Sequence, residues 1–361
     1  MKKILTSLLI LLTVISASAQ KTDKTKIDFE VEMLPLEIIS KEKKFDITIQ
    51  YDYAAKVEAA LAEVQANKDA AAKEKEEYEK KSLGEKMARK ALLGETKPSG
   101  NFSNQAFIPT LFPEEGIKGS INIPGYTKTT GAKGNINVMF FEMSFSLDAT
   151  QTKITYYPLK VVLTATNDKG ELVFQGDLPG NNTSTTYTAT TGLGSTYLST
   201  LKGLETDAKN QAIKNLNAYL KKMYGFNILK DERGFYDVKD KKQTYPEYHE
   251  AFEKVKMAFI YCNMPGKQAE MAVKLKEAIV IWETALKEYD KSNKEGRITT
   301  DIAAATYLNI AEACIWTKEF DKSIEALAMY KMTGEDYSRA YSNKTDFMKD
   351  YSARYNKYTT Y

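Results

Sequence analysis

From residue 26 to residue 52, apolar and polar side chains alternate. Ile27, Phe29, Val31 and Met33 interleave with Asp28, Glu30 and Glu32, and Phe45, Ile47, Ile49 and Tyr51 with Asp46, Thr48, Gln50 and Asp52. A period of two with one apolar side predicts strands with one face on a core and one in water. Ser40-Lys41-Glu42-Lys43-Lys44 between them reads as a hairpin connection. At Ala54 the period changes. Residues 54–93 are rich in Ala, Glu and Lys, with Val57, Leu61 and Val64 on one helical face, which predicts a helix of roughly 60 Å if unbroken. Gly84, after Ser82, is expected to bend or split it. Because the apolar stripe thins after Val64, the favoured expectation is a helix laid across the β domain with a solvated charged face. The other reading is a projecting arm that grips a partner.

Residues 94–116 carry Gly, Pro, Ser and Asn and read as a loop; β signals return from Ile117 to Leu178. Ile136, Val138 and Phe140 alternate, then Phe141, Met143, Phe145 and Leu147 continue in the opposite phase, the slip a β-bulge would produce. Leu159–Thr166 and Glu171–Gln175 flank Asn167-Asp168-Lys169-Gly170, a hairpin signal. Strands following one another without helices favour an antiparallel sheet or sandwich. A polar tract from Asn181 to Thr191 leads to a closing helix over 196–223, with Leu198, Leu201, Leu204, Ala208, Ile213, Leu216 and Leu220 at helical spacing and Gly225 as its stop. Residues 226–244, ending near Lys239-Asp240-Lys241-Lys242, read as a linker between this β-rich domain, 20–225, and a helical half.

In that half, 245–263, 270–289, 301–317 and 320–332 read as four helices. Ala278-Ile279-Val280-Ile281-Trp282-Glu283-Thr284-Ala285-Leu286 resembles the second helix of a tetratricopeptide repeat, with small residues at Ala278 and Ala285 and Trp282 filling the groove between neighbours. Tyr307, Ile310 and Ala311 resemble the first helix of a following unit, with Cys314 where an aromatic is usual. Phe320 and Ser323-Ile324-Glu325-Ala326-Leu327 resemble its second helix. From Ala278 to Ser323 is 45 residues rather than the usual 34, and the Pro after the second helix is missing. The resemblance implies tetratricopeptide-like repeats over 245–335, stacked helix pairs with a concave surface that binds a protein segment. It brings no catalytic residues.

The last segment, 336–361, places Tyr337, Tyr341, Tyr351 and Tyr355 on one helical stripe among Arg339, Lys344, Lys349, Arg354 and Lys357. A terminal capping helix with half-buried tyrosines is the favoured reading. An exposed aromatic and basic contact surface is the other. The expected fold is therefore α+β, an antiparallel β-rich N-terminal domain with helical additions followed by an all-α repeat domain. Candidate partner-binding residues are Trp282, Tyr307, Tyr337, Tyr341, Tyr351 and Tyr355.

Composition narrows the chemistry. The 361 residues carry 51 Lys+Arg against 48 Asp+Glu, too balanced for a dedicated nucleic-acid binder. His249 is the only histidine, and Cys262 and Cys314 are the only cysteines, so the commonest metal ligands and acid–base groups are scarce. His249 has no nucleophile motif around it and reads as a surface residue. The cysteines are flanked by apolar residues and read as buried free thiols. Gly125–Gly134 lacks the Gly-Lys-Ser/Thr of a phosphate loop and precedes a strand. Gly192-Leu193-Gly194 precedes a helix, but Ser195 or Thr196 as an N-cap accounts for it. The expectation is no catalytic residue, no metal and no cofactor.

The start of the chain supplies an address. Met1-Lys2-Lys3, an apolar run from Ile4 to Ile15 and Ala17-Ser18-Ala19 form a secretory signal peptide over 1–19. A dozen apolar residues reach about 18 Å, short of the ~30 Å of a bilayer core. The Lys-Lys start and the Gln after Ala-Ser-Ala resemble exported proteins of the Bacteroidota. No later stretch has the length of a membrane span. The expectation is a non-enzymatic exported adaptor, periplasmic, outer-membrane-associated or extracellular, that holds a protein partner of the cell envelope. The alternative is a glycan-binding module of an uptake system. Its support would be aromatic platforms on the Tyr-rich tail or around Phe102, Phe107 and Phe112, since outer-membrane glycan-capture proteins also contain tetratricopeptide repeats.

Overall fold

The computed structural model describes residues 22–93, 107–150, 152–179, 185–188, 193, 196–239, 244–264, 266–293 and 295–361. The expected leader, 1–19, lies outside them. Among the described residues the strands are β1 (Thr22–Met33), β2 (Lys44–Tyr51), β3 (Thr127–Lys128), β4 (Asn135–Phe140), β5 (Phe145–Leu147), β6 (Lys153–Tyr156), β7 (Val161–Thr166), β8 (Leu172–Asp177), β9 (Thr185–Thr188) and β10 (Asn227–Val238). The helices are α1 (Ala54–Lys80), α2 (Leu83–Leu93), α3 (Glu114–Ser120), α4 (Tyr197–Tyr224), α5 (Pro246–Cys262), α6 (Gln268–Leu286), α7 (Thr300–Thr317), α8 (Phe320–Thr333) and α9 (Ser338–Thr360). The chain is mixed α+β and divides into two compact units, Glu37–Gly225 and the residues up to Leu36 together with Phe226–Tyr361.

The first unit is built on a five-stranded sheet of order β3-β2-β4-β7-β8. β2 runs parallel to β3 and β4, and only β4-β7-β8 is antiparallel. This corrects the antiparallel expectation. Parallel neighbours need a crossover connection, and the helical stretch between β2 and β4 provides it. It also removes the predicted hairpin, because β2 never pairs with β1. Phe45, Ile47 and Ile49, Ile136, Val138 and Phe140, and Val161, Leu163 and Ala165 bury one face of the sheet. Phe174 on β8 is paired with Ala165 and therefore faces the same side. Its ring lies 5.4 Å from that of Tyr219, so α4 covers this face, burying Leu201, Leu204, Ala208, Ala212, Leu216 and Leu220.

The phase slip after Phe140 is a change of sheet rather than a bulge: β4 ends there and β5 joins a second sheet, β5-β6-β9. The 167–170 hairpin forms as read. Asn167 Oδ1 accepts from the amides of Lys169 and Glu171, and Gly170 takes φ +80°. Gly134 has a packing reason to be glycine, since a Cβ there would sit 2.6 Å from Ile39 Cγ2 and 2.9 Å from its carbonyl oxygen. At the head of α4, Thr196 occupies the N-cap position but its hydroxyl donates to Leu193 O at 2.6 Å instead of capping the helix.

The predicted 54–93 helix breaks into α1 and α2, and Ser82 sets the break. Ser82 N donates to Glu85 Oε2 at 2.8 Å and Glu85 N to Ser82 Oγ at 3.4 Å, a capping box that starts α2. Only Val57 of α1 is buried, and Leu61 is exposed. A helix laid across the sheet would have covered that stripe, so this expectation is corrected.

The second unit combines five helices with a long ribbon. β1 pairs antiparallel with β10 over twelve residues, Thr22 opposite Val238 and Met33 opposite Asn227. Asn227–Val238 is thus strand, not linker, and 22–33 belong with the helices rather than with the β-rich domain. Opposed charges help set this register, with Glu30 facing and ion-paired to Lys230 and Lys26 paired to Glu232. The predicted helices are present nearly as read. α7 is buried on all sides, from Ile302 to Trp316 apart from Tyr307, as a helix apolar around its circumference should be. Thr299 caps it, accepting from Ile302 N at 3.3 Å, and Lys318 ends it in the left-handed region at φ 65°. α5, α6, α8, α9 and both ribbon strands share one core with it.

Candidate partner-binding surface

None of the six residues singled out from the sequence is exposed. Trp282 is 1% accessible, its ring stacked on Phe235 of β10 at 6.4 Å. Small residues at Ala278 and Ala285 on the same helix are also buried, which leaves room for the indole between neighbouring elements. The ribbon therefore occupies the side of the helices on which an incoming segment would have met Trp282. Tyr307 is half-buried, its hydroxyl pushed up by burial and by nearby Tyr289.

The tyrosine stripe of α9 and its approach is divided among three internal contacts. Tyr337 OH donates to Asp301 Oδ1 at 2.5 Å and lies 2.9 Å from Thr22 Oγ1. Asp301 Oδ2 accepts from Thr22 N at 3.3 Å, so one carboxylate joins the starts of β1 and α7 to the residue before α9. Burial, and then the hydrogen bond to Asp301, push the Tyr337 hydroxyl well above the usual phenol range. Tyr341 stacks on Tyr330 at 5.5 Å. Tyr351 packs on Trp316, Phe347 and Phe320, and Tyr355 on Phe320 at 5.8 Å. These tyrosines are packed into internal contacts of the unit and are not an exposed contact surface.

What the sequence reading missed is a polar stripe on α7, at Thr306, Asn309 and Glu312, three residues apart on an otherwise apolar helix. That spacing puts them on one face. Asn309 Nδ2 donates to Tyr236 O at 2.7 Å, and Tyr236 N donates to Asn309 Oδ1 at 2.8 Å, so one amide satisfies both backbone groups on the free edge of β10. Glu312, fully buried, accepts from Lys344 Nζ at 2.7 Å and from Trp316 Nε1 at 2.9 Å, with Arg233 Nε at 3.7 Å. Burial pushes the Glu312 carboxyl up, but Lys344 and Arg233 outweigh it and hold the group below the ordinary carboxylate range. Helix, terminal helix and ribbon are joined by one carboxylate.

One accessible feature of this unit is a groove of about 500 Å³ between α5 and α6, lined by Glu250, Lys254, Val273, Lys276, Glu277, Val280 and Ile281. Val273 and Val280, seven residues apart and so two turns along one face, are 53% and 61% exposed. Lys254 Nζ bridges to Glu277 at 2.9 Å, and Lys276 pairs with Glu319 at 3.0 Å. The groove is thus an apolar floor between paired charges.

His249 is partly exposed, its Nδ1 2.9 Å from Asp237 Oδ2. Cys262 and Cys314 are buried free thiols, as expected; burial pushes both up, Cys314 to about 12. Phe102 lies outside the described residues, Phe107 meets Phe145 edge-on at 5.6 Å, and Phe112 lies 2.9 Å beneath the Lys209 ammonium. Among the described residues no helix is long and apolar enough to cross a membrane. No protein-family model, curated protein or solved structure matches the chain.

Proposed function

We propose that the protein is an exported, non-enzymatic adaptor that holds a segment of a cell-envelope protein in the groove between α5 and α6. The observation that carries this reading is the pair Val273 and Val280, left in water on a helix whose other face is packed to near-zero exposure. Apolar side chains two turns apart, rimmed by Lys254, Lys276, Glu250 and Glu277, suit an amphipathic helix laid along the groove with its charges at the rim. On this reading α5–α6 and α7–α8 are irregular tetratricopeptide-like pairs, and the ribbon and α9 are their internal caps.

The test is affinity isolation of the tagged protein from native envelopes after mild crosslinking, with mass-spectrometric identification, beside a Val273→Glu/Val280→Glu variant. A defined envelope protein recovered with the native chain and lost with the variant is the expected result. Equal recovery by both would move the binding surface elsewhere, and an isolated monomer would end the adaptor reading.

A further inference from the structure

Helix α2 carries a second surface, independent of the groove. Leu83, Met87 and Ala91 recur every four residues, with Ala88 and Leu92 beside them, so at 100° per residue the apolar positions fill about half the circumference. These side chains are uncovered, with Leu83 76%, Met87 65% and Leu92 83% exposed. Eleven residues are too few for a helix to persist in water on propensity alone, and the Ser82–Glu85 capping box supports its start. Between Lys81 and Leu93 the chain has Lys81, Lys86, Arg89 and Lys90 against Glu85 alone, and Glu85 is engaged by Ser82. Lys86 Nζ donates to Glu79 O at 2.9 Å, tying α2 back to the end of α1. The preceding α1 rises about 40 Å over its 27 residues.

We propose that α2 docks on an anionic lipid surface, its leucines and methionine entering the headgroup boundary and its lysines facing the phosphates. The chemistry favours lipid over a protein groove. Within residues 81–93 the cations outnumber the single acid, Glu85, four to one, which suits anionic headgroups. An apolar face of Leu and Met with Lys and Arg on the polar face is a pattern of helices that lie in a membrane interface.

The test is co-sedimentation of the full mature chain with vesicles of phosphatidylglycerol mixed equally with phosphatidylcholine, and with phosphatidylcholine alone. Binding to the anionic vesicles alone, weakening as salt rises, is expected. Leu83→Glu/Leu92→Glu should abolish it, and Lys86→Glu/Lys90→Glu should weaken it at least about tenfold. All four positions are solvent-facing or half-exposed, and unchanged thermal unfolding would verify that the variants fold. Indifference to lipid, or equal binding by the variants, overturns the proposal. So does a concentration-dependent dimer that Leu92→Glu disperses, which would assign the face to a second copy of the chain. Neither variant touches the α5–α6 groove, so loss of lipid binding and loss of a protein partner are separable.

Discussion

Each unit buries a carboxylate and an ammonium, and the two pairs are treated differently. In the helical unit Glu312 receives Lys344 and Trp316 at hydrogen-bond distance, with Arg233 behind. In the sheet unit Glu205 accepts from Thr110 N at 2.9 Å, but its second oxygen has no partner among the described residues. Lys209, one turn along the same helix, rests on the Phe112 ring. Burial pushes Glu205 up despite the Thr110 bonds, and pulls Lys209 down to about 8. A charge taken out of water is tolerable only when its remaining lone pairs and protons are satisfied. Both Glu312 oxygens have donors, which locks three elements together, although Arg233 Nε has no partner among the described residues; Glu205 has a donor on one oxygen only.

Removing one partner of the satisfied set should have the largest effect. Lys344→Met leaves Glu312 buried beside a more distant Arg233, and a loss of about 3–5 kcal/mol is expected. Both tryptophans of the chain, Trp282 and Trp316, lie in this unit, so denaturant unfolding followed by tryptophan fluorescence reports it alone. A second variant, Glu312→Gln, carries the pH dependence. Glu312 is held below its ordinary 4.5, so its contribution is complete above that value and is lost as pH falls through the lowered one. The gap between native and Glu312→Gln should therefore shrink as pH falls below that ordinary value. A constant gap would mean that the carboxylate does not titrate with folding.

The half-satisfied set should respond in the opposite direction. Replacing both charges, Glu205→Gln with Lys209→Met, is expected to stabilise the sheet unit by about 1–3 kcal/mol. The native chain should also gain stability as pH rises from about 8 towards 10.5. Over that window the unfolded lysine keeps its proton while the folded one gives it up. Lys209→Met should flatten this rise, measured by hydrogen exchange of the α4 amides. If the double variant is destabilised instead, the two sets are energetically alike and the contrast between the units fails.

How legible these features were in the sequence follows from the range of the forces involved. Helix periodicity is local, and α5 to α8 lie within a few residues of where spacing put them. Strand partnership is not local: β1 reads clearly as a strand, but its partner lies some two hundred residues away. There, Lys230, Asp231, Glu232 and Arg233 interrupt the alternation that would have marked β10. Those charges belong to the cross-strand pairing that a single segment cannot display. Trp282 and the tyrosines of the last segment stood out as candidate partner-binding residues, yet an apolar ring looks the same in sequence whether it awaits a partner or already has Phe235 beneath it. The Thr306, Asn309, Glu312 stripe was visible as polar spacing on an apolar helix. Its meaning depended on knowing that a strand edge and Lys344 lie opposite.

The smallest expected effect tests whether the satisfied set needs both cations. Arg233 is 3.6 Å above the Phe347 ring and hydrogen-bond close to Asp231 at 3.1 Å, but its Nε is only 3.7 Å from Glu312 and has no hydrogen-bond partner among the described residues. Its contact with the carboxylate is therefore Coulombic, and its clearest local stabilisation is the face of Phe347. Arg233→Met keeps much of the apolar stem against that ring and leaves Lys344 and Trp316 on Glu312. The expected loss is about 1–2 kcal/mol, the scale of a partly desolvated cation–π contact, again read by tryptophan fluorescence. If Arg233→Met costs as much as Lys344→Met, one ammonium and one indole do not satisfy a fully buried carboxylate. The helical unit's lock would then be a three-charge network whose members cannot be ranked singly, and the Lys344→Met/Arg233→Met double variant, losing much less than the sum of the two, would measure their coupling.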